Sequence, residues 1–299
     1  MKLSRLTILL CCILFYTASQ AQTQQQWANT VHWDGYTFWS KYIIFLPGKM
    51  GPSSLPVPQC GNGSIDDKNW LAGSLQLHSR PGESAQSIVL TGSYTLVKDL
   101  ISFDALYIPD EYYTMSDSLK RERHVYYQNW YDKRARGDLL LNVNVKLFKK
   151  WDKHIQLALR LGYRYPSSNG VGSARFTDDM GYWLNVSAGK PLGKSGFKLV
   201  AMAGFYCWQI DKEDLRQDDA FLYGLGFEYE KKNWMIKSSL DGYQGYLENQ
   251  GDKPMMVRAS VEKTFGKTAP FLRFQQGLHD YKYSTFEIGV KQYIGKKKS

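Results

Sequence analysis

From about residue 68 onward the chain repeats one kind of unit. Roughly ten residues alternate apolar with polar or small side chains, and a stretch of turn chemistry follows. HIQLALRLGYRY puts Leu157, Leu159, Leu161, Tyr163 and Tyr165 on one parity and Gln156, Arg160 and Arg164 on the other. DLLLNVNVKLFKK, AFLYGLGFEYEK and STFEIGVKQYI repeat the pattern. A period of two is the signature of a β-strand with one apolar face. Such units lie near 68–79, 86–96, 99–108, 138–149, 154–165, 180–190, 196–208, 219–231, 233–243, 254–265, 270–279 and 283–294.

The connections decide which solvent meets the apolar face. Those after the second, fourth, sixth, eighth and tenth units are short: VKD, KKWDK, KPLGKS, KKN and GKTAP. Those at 109–137, 166–179, 209–218 and 244–253 are longer or more polar, and RPGESAQ and HDYK are modest. Outer-membrane barrels have short turns on one side and longer loops on the other, and an even number of strands. A soluble sandwich has no reason to sort loop lengths by parity. The mean hydropathy of −0.43 excludes a helical polytopic membrane protein but not a barrel, whose strands are only half apolar.

The expected fold is therefore all-β: an antiparallel transmembrane β-barrel of about twelve strands over 68–295, with a non-barrel N-terminal segment and a basic tail at 296–299. MKLSRLTILLCCILFYTASQAQ supplies a charged start, a short apolar run and small residues Ser19 and Ala21, so residues 1–21 read as a secretory signal peptide. Gln22 to Gln26 read as a flexible linker. Within 22–67, Pro47, Pro52, Pro56 and Pro58 forbid a ladder strand. A strand at 36–46 would make the count odd, so 22–67 is placed outside the wall, as a lumenal plug or a periplasmic arm. Aromatics near strand ends, namely Trp70, Tyr107, Trp151, Tyr163, Tyr165, Trp183, Trp208, Tyr229, Trp234 and Tyr293, fit interfacial girdles.

On these features the chain resembles Gram-negative outer-membrane β-barrel proteins. FEIGVKQYIG is similar to their C-terminal insertion strand, although KKKS follows where an aromatic terminus is usual. The resemblance implies an outer-membrane location and contact with membrane lipid, lipopolysaccharide and the barrel assembly machinery. It implies a porin-like passage for small polar solutes. The net charge of +10 on an exported chain points to anionic head groups or solutes, with no nucleic-acid partner.

If the leucines meet lipid, the polar parity lines a lumen. Asp104, Asn142, Asn144, Lys146, Arg160, Arg164, Asn185, Glu228, Lys237, Arg258, Glu262 and Arg273 are the lining candidates, with Ser187, Asp241 and Gln275 beside them. They either select solutes by charge or pair across the lumen and fill it. Ser168, Arg175, Asp178 and Asp179 are candidates in an outer loop, and the charged stretch 116–138, with Arg121, Arg123, Lys133, Arg134 and Arg136, belongs to the longest one. Ser168, Asn169 and Gly170 match the end of the His-x-Ser-Asn-Gly run of outer-membrane phospholipase A, a lipid-modifying enzyme. Pro166 stands where the histidine would be, which leaves the serine without a base. No metal-ligand spacing and no cofactor motif occurs. Cys60 and Cys207 are the cysteines beyond the signal, and their sequence positions leave a disulfide open. A passive channel leads; a lipid-modifying enzyme and a non-conducting surface barrel remain as alternatives.

Overall fold

The computed structural model describes residues 23–209, 217–246 and 251–295. The signal segment and the basic tail lie outside these residues. The strands are β1 (Asn69–Arg80), β2 (Glu83–Val97), β3 (Ile101–Met115), β4 (Arg134–Ala135), β5 (Leu139–Leu147), β6 (Gln156–Tyr165), β7 (Gly181–Pro191), β8 (Phe197–Gln209), β9 (Gln217–Lys231), β10 (Trp234–Gly245), β11 (Met255–Lys263), β12 (Thr268–His279) and β13 (Ser284–Ile294). Each pairs antiparallel with its neighbours, and β1 closes on β13, so twelve strands form a ring with no free edge. The two-residue β4 pairs with the outer end of β3 and stands outside the ring.

The parity expected from sequence holds along the wall. Leu71, Leu75, Leu90, Leu161, Leu184, Leu199, Leu225 and Ile288 point outward, Leu225 being 65% exposed and Leu71 59%. The apolar band encircles the barrel and far exceeds what a soluble monomer leaves in water. This is an antiparallel transmembrane β-barrel. The 36–46 stretch forms no strand and contains only a 3-10 turn at Trp39–Tyr42, so the count is even.

Several details differ from the sequence reading. The segment Gln24–Val31 is a helix, α1, and not a linker. Thr23 and Gln26 form a reciprocal capping box at its start. β3 runs to Met115, past Pro109, where 109–137 reads as loop. Partners jump from Ile88↔Asp110 to Leu90↔Tyr107, and this bulge absorbs the proline's missing N–H. The connection at 81–82 between β1 and β2 is a tight hairpin, so outer connections are long only in the middle of the chain. Of the girdle aromatics, Trp151, Tyr165 and Trp234 are exposed on the outside. Trp70, Trp183, Trp208 and Tyr293 instead share the inward parity. Trp183 and Trp208 are buried in an interior apolar cluster, a role that an aromatic near a strand end fills equally well.

Candidate functional site

That interior cluster exists because the N-terminal segment runs through the lumen. Residues 48–66 are irregular and extended; Arg80 Nη1 donates to Gly48 O (3.2 Å), and four further wall cations hold the carbonyls from Ser54 to Gly63 in order. Arg164 Nη1 donates to Ser54 O (2.5 Å), Arg258 Nη2 to Val57 O (2.7 Å), Arg160 Nη1 to Gln59 O (3.0 Å) and Lys146 Nζ to Gly63 O (3.1 Å). The prolines explain this mode of docking. Pro52, Pro56 and Pro58 cannot donate to a ladder, so the segment cannot join the sheet. Its carbonyls must still be satisfied once water is excluded. Long basic side chains on the inward parity do that. Cys60 N donates to Asp241 Oδ1 (2.9 Å) and Asn62 Nδ2 to Glu228 Oε2 (2.7 Å). The wall makes room where the segment is closest. Gly189 faces it, and a Cβ there would collide with the Asn62 carbonyl. Gly63, at φ +71, turns the chain past the Gln156 carbonyl.

Toward the long-loop end the segment is apolar. Ile43, Phe45, Met50, Leu55 and Val57 pack against Trp183, Tyr206, Trp208 and Tyr243 from the wall and Val125, Trp130 and Ala174 from the outer loops. Beyond the lumen, the preceding residues sit on the loops. Trp27 Nε1 donates to the His124 carbonyl (3.1 Å), Trp39 stacks on Tyr126 with centroids 4.6 Å apart, and Lys49 pairs with Glu122 at 2.7 Å. Thus the segment enters beside β1 at the short-turn end, and α1 rests at the opposite mouth.

The outer loops are themselves tied into the wall. Arg123 and Arg175, from the loops at 116–133 and 166–180, are fully buried with Glu83 of β2 and Glu111 of β3. Arg123 bonds Glu83, and Arg175 bonds both Glu83 and Glu111. Tyr283 Oη donates to Glu83 Oε2 (2.6 Å) and Ser87 Oγ to Glu111 Oε2 (3.0 Å). Two cations and two anions with added hydroxyls form a self-compensating network. Removing one member would strand a buried charge.

The rest of the lumen is a cavity of about 750 Å³ lined by the segment and by strands all round the ring, with Asn144, Arg160, Ser187 and Lys237 on one side and β11–β13 with β1–β3 on the other. Gln76, Thr91, Arg273, Gln275, Glu287 and Lys291 line this side. Here the charges pair with one another: Arg273 with Glu287 at 3.2 Å and Lys291 with Glu262 at 2.6 Å. Arg273 also lies over Phe271 and Lys291 over Trp70.

The sequence-predicted lining residues thus fall into three groups. Lys146, Arg160, Arg164 and Arg258 grip the segment. Arg273 and Glu262 line the cavity in ion pairs, and Asp104 accepts from Asn144 Nδ2 at 2.6 Å beside Asn142. Glu228 pairs with Lys237 at 2.6 Å, and Asn185 is buried with Ser187 Oγ at 3.3 Å. In the outer loop, Asp178 is exposed, Asp179 lends its carbonyl to Arg164, and Arg175 is buried instead of facing solvent. Arg123, placed by sequence in a solvated charged loop, is likewise buried. Ser168 is buried, and its hydroxyl has no hydrogen-bond partner among the described residues. His78, His124 and His279 hold Thr285, the Tyr42 carbonyl and the Lys253 carbonyl, so none of the three serves Ser168 as a base. Glu83 and Glu111 are not among the sequence candidates, because RPGESAQ reads as a connection and 109–137 as a loop, whereas β2 begins at Glu83 and β3 runs past Glu111. Both cysteines are free: Cys60 lies in the lumen, whereas Cys207 occupies the outward parity of β8. No group of three or more metal-ligating side chains occurs among the described residues.

No protein-family model and no curated protein matches the sequence. Among solved structures, an outer-membrane channel from Pseudomonas putida F1 superposes with a TM-score of 0.54 at 12% identity, over 81% of this chain and 98% of that one. The β domain of the Bordetella autotransporter BrkA gives 0.41 at 12% identity, over 76% and 99%. The CymD monoaromatic hydrocarbon channel gives 0.42 at 9% identity, over 78% and 90%. The fold is that of outer-membrane β-barrels.

Proposed function

We propose that the protein is a self-plugged outer-membrane channel for small polar solutes, with its short turns in the periplasm and its N-terminal arm on the outer face. One observation carries this reading: the lumen holds residues 48–66 and still keeps a cavity of about 750 Å³ beside them. A barrel meant only to be solid could fill that space with side chains, as small closed barrels do. On the β11–β13 wall the cavity's cations and anions are matched in two pairs, which suits neutral or zwitterionic solutes over strongly charged ones. In this reading the arm and outer loops face lipopolysaccharide, and the assembly machinery inserts the chain.

Planar-bilayer conductance of the full chain and of a form lacking residues 23–66 tests it. A small steady conductance from the full chain and a much larger one from the shortened form are expected. Silence from both overturns the channel and leaves a surface barrel, for which the docked outer arm is the supporting observation.

A further inference from the structure

The five short turns share a composition that neither the lumen nor the fold requires. The turn at 98–100 has exposed Lys98 with Leu100, and that at 148–155 has exposed Lys149, Lys150 and Lys153 with Phe148 and Trp151. Lys190 and Lys194 flank Leu192, Lys231 and Lys232 precede Trp234, and Lys267 follows Phe265. All are exposed. Every turn therefore combines a large apolar side chain with at least one lysine.

The carboxylates nearby do not pair off these charges. Exposed Asp66, Asp67 and Glu230 stand at the same end without an ion pair to the lysines among the described residues, Asp152 is taken from inside by Lys146 at 2.8 Å, and Asp99 is reached only by Lys149 at 4.0 Å. Lys98, Lys150, Lys153, Lys190, Lys194, Lys231 and Lys232 make no ion pair among the described residues. The opposite mouth also exposes cations, Arg121, Lys133, Arg134 and Arg136 among them, but there Arg123 and Arg175 are buried on Glu83 and Glu111, Lys49 pairs with Glu122, and Lys120 pairs with Asp117. Apolar anchors at the depth of the ester region with ammonium groups just beyond match the layered chemistry of a phospholipid interface. Lys263 lies over both Trp234 and Phe265 at 4.5 and 5.0 Å, so one cation joins the apolar anchors of two adjacent turns.

We propose that the short-turn rim is a binding surface for anionic phospholipid head groups, holding a shell of such lipid around one end of the barrel. The proposal rests on the membrane-spanning reading but is independent of whether the lumen conducts. The lysines act as exposed point charges, so the attraction is long-ranged, additive and screened by salt.

The test is head-group selectivity in reconstituted vesicles. The full chain is inserted into phosphatidylcholine vesicles carrying trace spin-labelled phosphatidylglycerol or spin-labelled phosphatidylcholine, and the motionally restricted fraction of each is measured. Phosphatidylglycerol is expected to be preferred, less so in high salt. A variant with Lys149→Gln, Lys150→Gln, Lys153→Gln, Lys190→Gln and Lys194→Gln should lose most of the preference, since each neutralised lysine near an anionic surface costs about fivefold. These positions are exposed turn residues, and unchanged heat-modifiable migration confirms that the variant is folded. Normal insertion with no head-group preference, or a preference the variant keeps, overturns the rim alone. Failure to insert into either lipid overturns the membrane reading and the rim with it.

Discussion

Two sets of inward cations in the lumen are built by one sequence grammar and end in opposite chemistry. Along β5, β6 and β11, inward cations reach across to backbone carbonyls of the threaded segment: Lys146, Arg160, Arg164 and Arg258 to Gly63, Gln59, Ser54 and Val57. Along β12 and β13, inward cations stay on the wall, with Arg273 on Glu287 and Lys291 on Glu262, while Ser74 Oγ of β1 donates to Glu287 at 2.6 Å; only at the outer end of β1 does Arg80 reach the Gly48 carbonyl, at 3.2 Å. The first set has donors in excess of its own acceptors and needs the segment. The second satisfies itself and tolerates water. A lumen can therefore hold a segment and keep a cavity without any change in strand pattern.

The sharpest way to break this contrast is to change volume on each side. Gly189→Leu places atoms where the Asn62 carbonyl sits, against backbone that cannot swing away. The inner half of the segment should leave its seat, a cost exceeding the roughly 1–3 kcal/mol of ordinary overpacking. Cys60, buried in the lumen beside Asp241, is a native reporter. In a Cys207→Ser background its thiol should go from protected to readily labelled by a small maleimide, and conductance should rise. Thr91→Phe likewise adds four heavy atoms, but at a position that lines the cavity. It should leave Cys60 protected and lower conductance. Equal labelling of the two variants would mean that the sides do not differ.

The legible part of this architecture is what period-two alternation writes locally. Strand ranges, the even count and the inward parity of Arg160, Arg164, Glu228 and Arg258 follow from residues two apart. Alternation does not say what an inward arginine will meet. The acceptor of Arg258 is the carbonyl of Val57, and that of Arg164 is the carbonyl of Ser54, both remote in sequence and carried by no side chain. A segment with four prolines near a dozen inward polar residues was the available clue. It left plug and periplasmic arm equally open because a carbonyl row has no signature of its own. Trp183 and Trp208 were misplaced for the same reason, since the interior they bury against exists only once 43–57 is inside. Arg123 and Arg175 needed Glu83 and Glu111, and β3 had to run past Pro109 to deliver the second of these. The Thr23–Gln26 capping box, by contrast, was written in four consecutive residues and was overlooked under a run of glutamines.

A smaller perturbation separates cations that hold the segment from those that hold the wall. Arg160→Ala removes a charge-assisted bond to Gln59 O, worth about 1.5–3 kcal/mol of segment docking. At about 1.4 kcal/mol per decade, Cys60 labelling through the undocked state should quicken by about tenfold or more. Arg273→Ala should leave that rate unchanged. It should instead shift reversal potentials toward cations, because Glu287 then faces the cavity with its arginine gone.

The slightest effect lies at the outer mouth, where the same contrast fades. Lys49 of the arm pairs with Glu122 of the loop at 2.7 Å, and both side chains are partly exposed. The Lys49 hydrogen bond, with its charge adding to it, holds the Glu122 carboxyl below its ordinary value. A carboxyl lowered in the docked state contributes stability that is present at neutral pH. That contribution fades only as pH falls through the docked value. Solvent screening limits it to about 0–1 kcal/mol. Protease cleavage of the 23–45 arm on the purified barrel should therefore be nearly flat from pH 8 to about 5. It should rise modestly at lower pH, and Glu122→Gln should show that modest rise at every pH. A steep rise already near pH 6 would place control of the arm in another group, and an arm cleaved equally at all pH values in both proteins would mean that this ion pair holds nothing.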